Sequence, residues 1–210
     1  MDAPVRTTAI YRKNLPHWEV EDGLYFTTIS LHGAIPAKAA EEIYAMNRRL
    51  EKEACLPTYE RSRIVFREME RWLDRNCGHR WLEIPAVATT MMEIIEHNQA
   101  LQIWDMHEYV LMPTHAHFLF RFLHGAEQYR SPEGRLLDGF LPRYKKYSGR
   151  RANAILDRVG ERFWQREWFD HWIRNEAEAQ RTVQYIQNNP VKAGLVRNYL
   201  DWPYGSWARR

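Results

Sequence analysis

The stretch YVLMPTHAHFLF, Tyr109 to Phe120, sets two histidines one residue apart within a run of strand-forming residues. Side chains alternate across a strand, so His115 and His117 share a face, with Cα atoms ~6.5–7 Å apart. Two imidazoles at that spacing can converge on one cation. Ala116, Phe118, Phe120 and Phe122 line the other face as an unbroken apolar stripe, the pattern of a face buried under helices. His115, His117, Leu119 and Arg121 share the opposite one. The residues alone leave two readings open. One is a pair of partly exposed histidines; the other is two arms of a metal site, which needs a third protein ligand and an open position for chemistry.

Working outward, LQIWDMHEYVLM and HAHFLFRF are two strand-like runs separated by Pro113-Thr114, which predicts a hairpin or tight corner. Upstream, GLYFTTISLHG reads as a strand bounded by Gly23 and Gly33, and residues 1–22 read as an extended N-terminal arm. Ala39, Ile43, Met46, Leu50 and Ala54 recur at helical spacing. Further helices are expected around Val65, Met69 and Trp72 and around Val87, Met91 and Ile94. Downstream, HGAEQYRSPEGR is a polar loop, and a helix is expected to begin near Pro142, a residue tolerated in a first turn. WFDHWIRN suggests a short strand, and a last helix from about Glu176 to Asn188 is expected to stop at Pro190. Residues 195–210 form a tail. Strand, helices, strand, strand, helix, strand, helix is an α+β order, with helices packed on a mainly antiparallel sheet.

At 210 residues the chain fits one domain with one substantial core. Its 45% hydrophobic and 27% charged residues are ordinary for a globular protein and argue against a disordered chain. No apolar run is long enough to span a membrane. The N-terminal stretch lacks the apolar core of a secretory signal, so a cytoplasmic location is expected. Cys55 and Cys77 have no CxxC spacing and suggest neither a disulfide framework nor a thiolate zinc site. The net charge of +3 hides an asymmetry: residues 1–120 carry 13 Lys/Arg against 17 Asp/Glu, and residues 121–210 carry 17 against 10. A basic half suits a polyanionic partner, or is simply an uneven solvated surface.

The segment EAEAQRTVQYIQNNPVKAGLV places Tyr185 and Asn189 four residues apart, on one face of a helix that reaches that far. Ala179, Val183 and Ile186 form a separate packing stripe. Tyr185 beside Asn189 reads as a nucleophile next to an amide metal ligand. It reads equally as a half-buried tyrosine and a C-terminal asparagine cap before Pro190.

The His-hydrophobic-His pattern of YVLMPTHAHFLF resembles the HUH signature of the REP-associated tyrosine transposases, single-tyrosine relatives of transposases that move insertion sequences as single-stranded DNA. FWQREWFDHWIRNEAEAQRTVQYIQNNPVKAGLV is similar to that family's second block and DWPYGSW to its third. LPHWEVEDGLYFTTISLHGAIP resembles its first strand, so the likeness spans nearly the whole chain. The resemblance implies a single HUH endonuclease domain over 1–210, with a ferredoxin-like antiparallel sheet carrying the histidines and the nucleophilic tyrosine on a nearby helix. It matches His115 and His117 to the metal ligands and Tyr185 to the nucleophile. Asn189 falls at the third ligand, with Gln187 the alternative because related transposases use glutamine there.

The implied reaction is cleavage and rejoining of single-stranded DNA, from palindromic repeats that form hairpins, through a 5′-phosphotyrosine. The cofactor expected is a divalent metal, Mg²⁺ or Mn²⁺, because the site must also accept phosphate oxygens. In LPRYKKYSGRRANAIL, Arg143, Lys146 and Arg150 form one helical stripe with Lys145 and Arg151 at its edges, a candidate DNA-binding face joined by Arg166 and Arg174. Trp164, Trp168 and Trp172 suit base stacking or, with more weight, the core. The role of His171 is open, and Tyr144 and Tyr147 are rival nucleophiles. Monomer and homodimer both remain open. The alternatives are a DNA hairpin-binding protein of the same ancestry that does not cut, and a zinc hydrolase of small molecules, which leaves the basic stripe unexplained.

Overall fold

The computed structural model describes residues 7–12, 16–52, 56–75 and 78–209. Cys55 and Cys77 lie outside them. The expected strand after Gly23 is β3 (Leu24–Ser30), followed by α1 (Ala37–Lys52), α2 (Thr58–Leu73) and α3 (Pro85–Ala100). β4 (Trp104–Leu111) and β5 (His115–Phe122) form the hairpin around Pro113-Thr114, closed by Met112 N–H donating to the His115 carbonyl at 2.8 Å. Then come α4 (Leu136–Ile155), β6 (Phe169–Ile173) and α5 (Glu176–Lys192).

The four strands lie in the order β4-β5-β3-β6, each antiparallel to its neighbour. With helices between the first and second and between the third and fourth, this is the ferredoxin-like order, in an α+β domain. Ahead of the sheet, residues expected as a plain extended arm pair instead as a hairpin, β1 (Thr7–Arg12) with β2 (Pro16–Val20). The hairpin is tied down by polar contacts. Glu19 accepts the first backbone N–H of α4, from Leu136, at 2.9 Å, and His17 pairs with Asp170 of β6.

Both faces of the sheet are covered. Ala116, Phe118 and Phe120 are buried with residues of α3 and α4, as their stripe predicts, and Trp164 and Trp168 join that core with Trp172 half-buried against it. The histidine face, opposite the phenylalanine stripe, is not the partly exposed surface of one of the two readings. It packs a second core, in which Phe26, Val110, Leu119 and Phe169 meet Ile43 of α1, Val65 and Met69 of α2 and Ile186 of α5.

Two prolines were misleading as boundaries. α4 starts at Leu136, six residues ahead of Pro142, because Leu137, Phe140 and Leu141 are buried in the first core and require helical geometry there. α5 continues through buried Pro190 to Lys192. A proline in a helix costs a hydrogen bond and crowds the preceding turn, and here tertiary burial outweighs that penalty. As a result Asn189 lies within the helix and is no cap. The tail is docked rather than free: Trp202 donates its indole N–H to the Leu111 carbonyl at 2.9 Å, and Gly205 bridges Val110 on the outer edge of β4.

Candidate metal centre and nucleophile

Register builds the site. His117 lies opposite Thr28 of β3 and Val110 of β4, and His115 lies opposite Ser30. The histidines are buried, at 1% exposure for His115 and none for His117. Each spends its Nδ1 on a threonine, His117 with the Thr28 hydroxyl at 2.8 Å and His115 with the Thr114 hydroxyl at 3.1 Å. Their Nε2 atoms have no hydrogen-bond partner. Burial pushes the His115 imidazole down to about 3, and burial with the nearby His115 and Lys192 charges holds His117 well below its ordinary value. Both rings are therefore neutral at physiological pH, the form that ligates a metal.

The third member comes from α2, an element with no expected functional role. Glu70 on α2 is 5% exposed, and one ligating atom from each of Glu70, His115 and His117 lies within 4.8 Å of the others. Its Oε1 has no hydrogen-bond partner and sits 3.8 Å from His117 Nε2. Three buried ligand atoms turned toward one another, none with a hydrogen-bond partner, fit a divalent cation, since an unsatisfied buried polar atom is otherwise costly. Asn189 is buried too: its amide N–H donates to the Tyr185 carbonyl at 3.1 Å, leaving its Oδ1 unpartnered. Gln187 turns away and donates to Glu108 at 3.3 Å. A signal for Glu70 was present in the sequence. Phe66, Glu70 and Leu73 are spaced at i, i+4, i+7, so a carboxylate interrupts an apolar helical face.

Tyr185 projects from α5 beside the histidines, its ring centroid 5.4 Å from that of His117 and 5.7 Å from that of Phe26. Its hydroxyl donates to Glu70 Oε2. Burial first, then the Glu70 charge, pushes the phenol well above its ordinary value. The rival tyrosines are elsewhere. Tyr144 is buried in the core of the opposite sheet face, and Tyr147 is exposed on the same helix α4.

The basic residues divide. Arg143, Lys146, Arg150 and Arg151 are exposed on α4. Lys146, Arg150 and Arg166 line a groove of about 840 Å³ between α4 and the segment 159–166. Lys145 lines the same groove from a buried position. It donates to the carbonyls of Arg166 at 2.8 Å and Glu167 at 3.3 Å, and lies over the Trp168 ring, so it ties α4 to the chain before β6. Arg174 is paired with Glu178 and stacked 3.5 Å from the Tyr59 ring. His171 bonds Glu178 at 3.1 Å, while the second partners of His115 and His117 are the two threonines.

A histidine pair on a ferredoxin-like antiparallel sheet, facing one helix-borne tyrosine and a buried carboxylate, defines a candidate metal-and-tyrosine centre. Comparison with known proteins is in keeping with that class. No family model matches the sequence. The chain is similar to REP-associated tyrosine transposases: it is 29% identical over 107 residues to the one from Escherichia coli K12, covering 50% of this chain and 56% of that protein. It is 31% identical over 100 residues to a Haemophilus influenzae protein provisionally given the same name, covering 47% of this chain and 56% of that one. The matches thus span little more than half the length of these relatives. A solved REP-associated tyrosine transposase, described as bound to a REP hairpin, superposes with a TM-score of 0.53 over 96% of this chain and 84% of that one, at 17% identity, which establishes the shared fold. Among the described residues no helix is long and apolar enough to cross a membrane.

Proposed function

We propose that this protein cleaves and rejoins single-stranded DNA next to a hairpin, with Tyr185 as nucleophile and a divalent cation, Mg²⁺ or Mn²⁺, held by His115, His117 and Glu70. The observation that carries the reading is the convergence of three unpartnered buried ligand atoms with the Tyr185 hydroxyl, which bonds the other oxygen of Glu70. Asn189 Oδ1 is a further ligand candidate from the same helix as the tyrosine.

A cation in this site supplies Lewis-acid stabilisation of the charge that develops on the scissile phosphate. The chain's own groups do the rest. Phenol has a reference pKa of ~10 and needs help to become a nucleophile. Glu70 already accepts the Tyr185 hydroxyl proton and is the group placed to take it. Tyr185 Oη then attacks phosphorus, the bond from phosphorus to the 3′ oxygen breaks, and that oxygen leaves as a 3′-hydroxyl after gaining a proton from water. The product is a 5′-phosphotyrosine. Its phenolate is a better leaving group than a sugar alkoxide, so the 3′-hydroxyl of the same or another strand can reverse the step. Thr28 and Thr114 orient the imidazoles. The exposed cations of α4 lie on the opposite side of the sheet and suit the phosphates of a paired stem.

The test is incubation of the full chain and Mn²⁺ with single-stranded DNA from the flanks of its own gene, followed by denaturing electrophoresis. A covalent adduct that maps to Tyr185 and vanishes in Tyr185→Phe is expected. Adduct formation that persists in Tyr185→Phe refutes the assignment. Hairpin binding with no adduct under any divalent metal supports the non-cutting alternative.

A further inference from the structure

Tyr185 is the half-exposed member of the site and also forms one wall of a cleft of about 430 Å³ that the reaction described above does not use. This volume lies in the small-molecule range of about 300–1,000 Å³. Aromatic rings make its floor. Phe66 stacks on Phe169 with centroids 4.4 Å apart and an interplanar angle of 30°, and Phe26 stands edge-on to Phe66 at 5.5 Å. Tyr59 closes one side, its hydroxyl bonded to Glu178 at 3.0 Å.

The charge around the cleft is one-sided. Glu178 is its acid, and that acid is fully engaged by Tyr59, His171 and the Arg174 backbone and guanidinium. Burial alone raises its carboxyl, yet the hydrogen bonds from His171 and Arg174 hold it well below the usual range, so it is ionised and matched. At the rim, Arg63 of α2 and Arg181 of α5 are exposed, and neither forms an ion pair among the described residues. Arg181 and Tyr185 also border a second, open depression with Gln184, Asn188 and Lys192, so the two hollows meet at the tyrosine.

Resting on the proposed reaction, we infer that the aromatic cleft seats one unpaired base of the DNA strand next to the scissile phosphate, with Arg63 and Arg181 holding the flanking phosphates. Phe66 and Tyr59 are the partly exposed rings of the cleft, Tyr59 carrying Arg174 over its ring, and such rings accept any base by stacking. Guanidinium groups without an ion-pair partner at the mouth select a phosphodiester over a neutral planar molecule. The position beside Tyr185 gives the cleft a purpose. A base anchored there fixes which phosphate lies against the phenol.

The test uses the full chain in EDTA, so that nothing is cut, with short unstructured oligonucleotides carrying 5-iododeoxyuridine at each position in turn. Irradiation followed by peptide mapping is expected to give adducts on the segments containing Tyr59 and Phe66, from one register of the strand. Phe66→Leu, which keeps apolar contact with Phe169, is expected to weaken binding roughly five- to hundredfold, the range of one lost stack. Arg63→Gln with Arg181→Gln lowers the salt dependence of log K by about 1.4, two phosphate contacts on a single strand. Adducts confined to the α4 groove, or variants that bind within twofold of the parent, overturn the cleft assignment and leave the proposed reaction standing. No affinity for single strands at all overturns both. The adduct map needs no variant to fold.

Discussion

Replacing Glu70 with glutamine separates the metal reading from a purely structural one, because the two predict opposite effects. In the metal-free protein, burial pushes the Glu70 carboxyl up from 4.5 to about 7, only partly offset by the Tyr185 hydroxyl. The folded state then holds the proton more tightly than the unfolded chain. This group's contribution to stability is therefore intact below about pH 4.5 and is lost as pH rises to about 7. The displacement corresponds to roughly 3 kcal/mol at pH 8. Glutamine has nearly the same shape, carries no charge and still accepts the Tyr185 proton. Glu70→Gln in EDTA at pH 8 is therefore expected to be more stable than the parent by up to about 3 kcal/mol, or roughly 6–12 °C in Tm for a chain of this size. With Mn²⁺ the gap closes to within about 1 kcal/mol. The parent gains about 2.7 kcal/mol at a hundredfold excess over Kd, whereas the variant loses a charged ligand and most of that gain. Thermal and urea melts from pH 4 to 8, with EDTA and with Mn²⁺, read both effects. A Glu70→Gln protein that is less stable than the parent in EDTA at pH 8, yet responds equally to Mn²⁺, would refute the reasoning.

Other expectations follow from single contacts. His117→Ala is expected to remove the Mn²⁺-dependent rise in Tm and also to lower the EDTA melt by several degrees, because it leaves a buried cavity beside Phe26 and strips the Thr28 hydroxyl of its imidazole partner. Lys145→Met is expected to cost about 1–3 kcal/mol in urea melts by leaving the Arg166 and Glu167 carbonyls without their donor. Lys146→Gln with Arg150→Gln is expected to leave stability unchanged and to lower the salt dependence of hairpin binding, by about 1.8 in log–log slope if both contact duplex phosphates. Gly139→Ala places a Cβ 1.7 Å from the Tyr129 carbonyl oxygen, a backbone atom that must shift, so a loss above 3 kcal/mol or failure to fold is expected.

Much of the site's local geometry was written in short stretches. A period of two put His115 and His117 on one face and the phenylalanine stripe on the other, and the sheet keeps that sorting. A period of 3.6 put Tyr185 above Asn189, and α5 runs far enough to keep it. Element boundaries at Pro142 and Pro190 were not legible, because proline's local cost is visible in a sequence and the burial that outweighs it is not. The N-terminal hairpin was missed for a related reason: its anchors, Leu136 and Asp170, are far away along the chain.

What the sequence determined by itself is which side chains share a face, since backbone periodicity is a local property of each element. What faces them is decided by which surfaces meet when helices and sheet pack, and only the tertiary structure shows that. It closed the histidine face under α1, α2 and α5 and turned Lys145 inward as a tie. It also brought Glu70, 115 residues from Tyr185, against the phenol and the two imidazoles. In REMERWL the middle glutamate shows locally only that it interrupts an apolar helical face, not what that face meets. Its chemistry here comes from burial beside two neutral histidines, an environment assembled by residues distant in the chain.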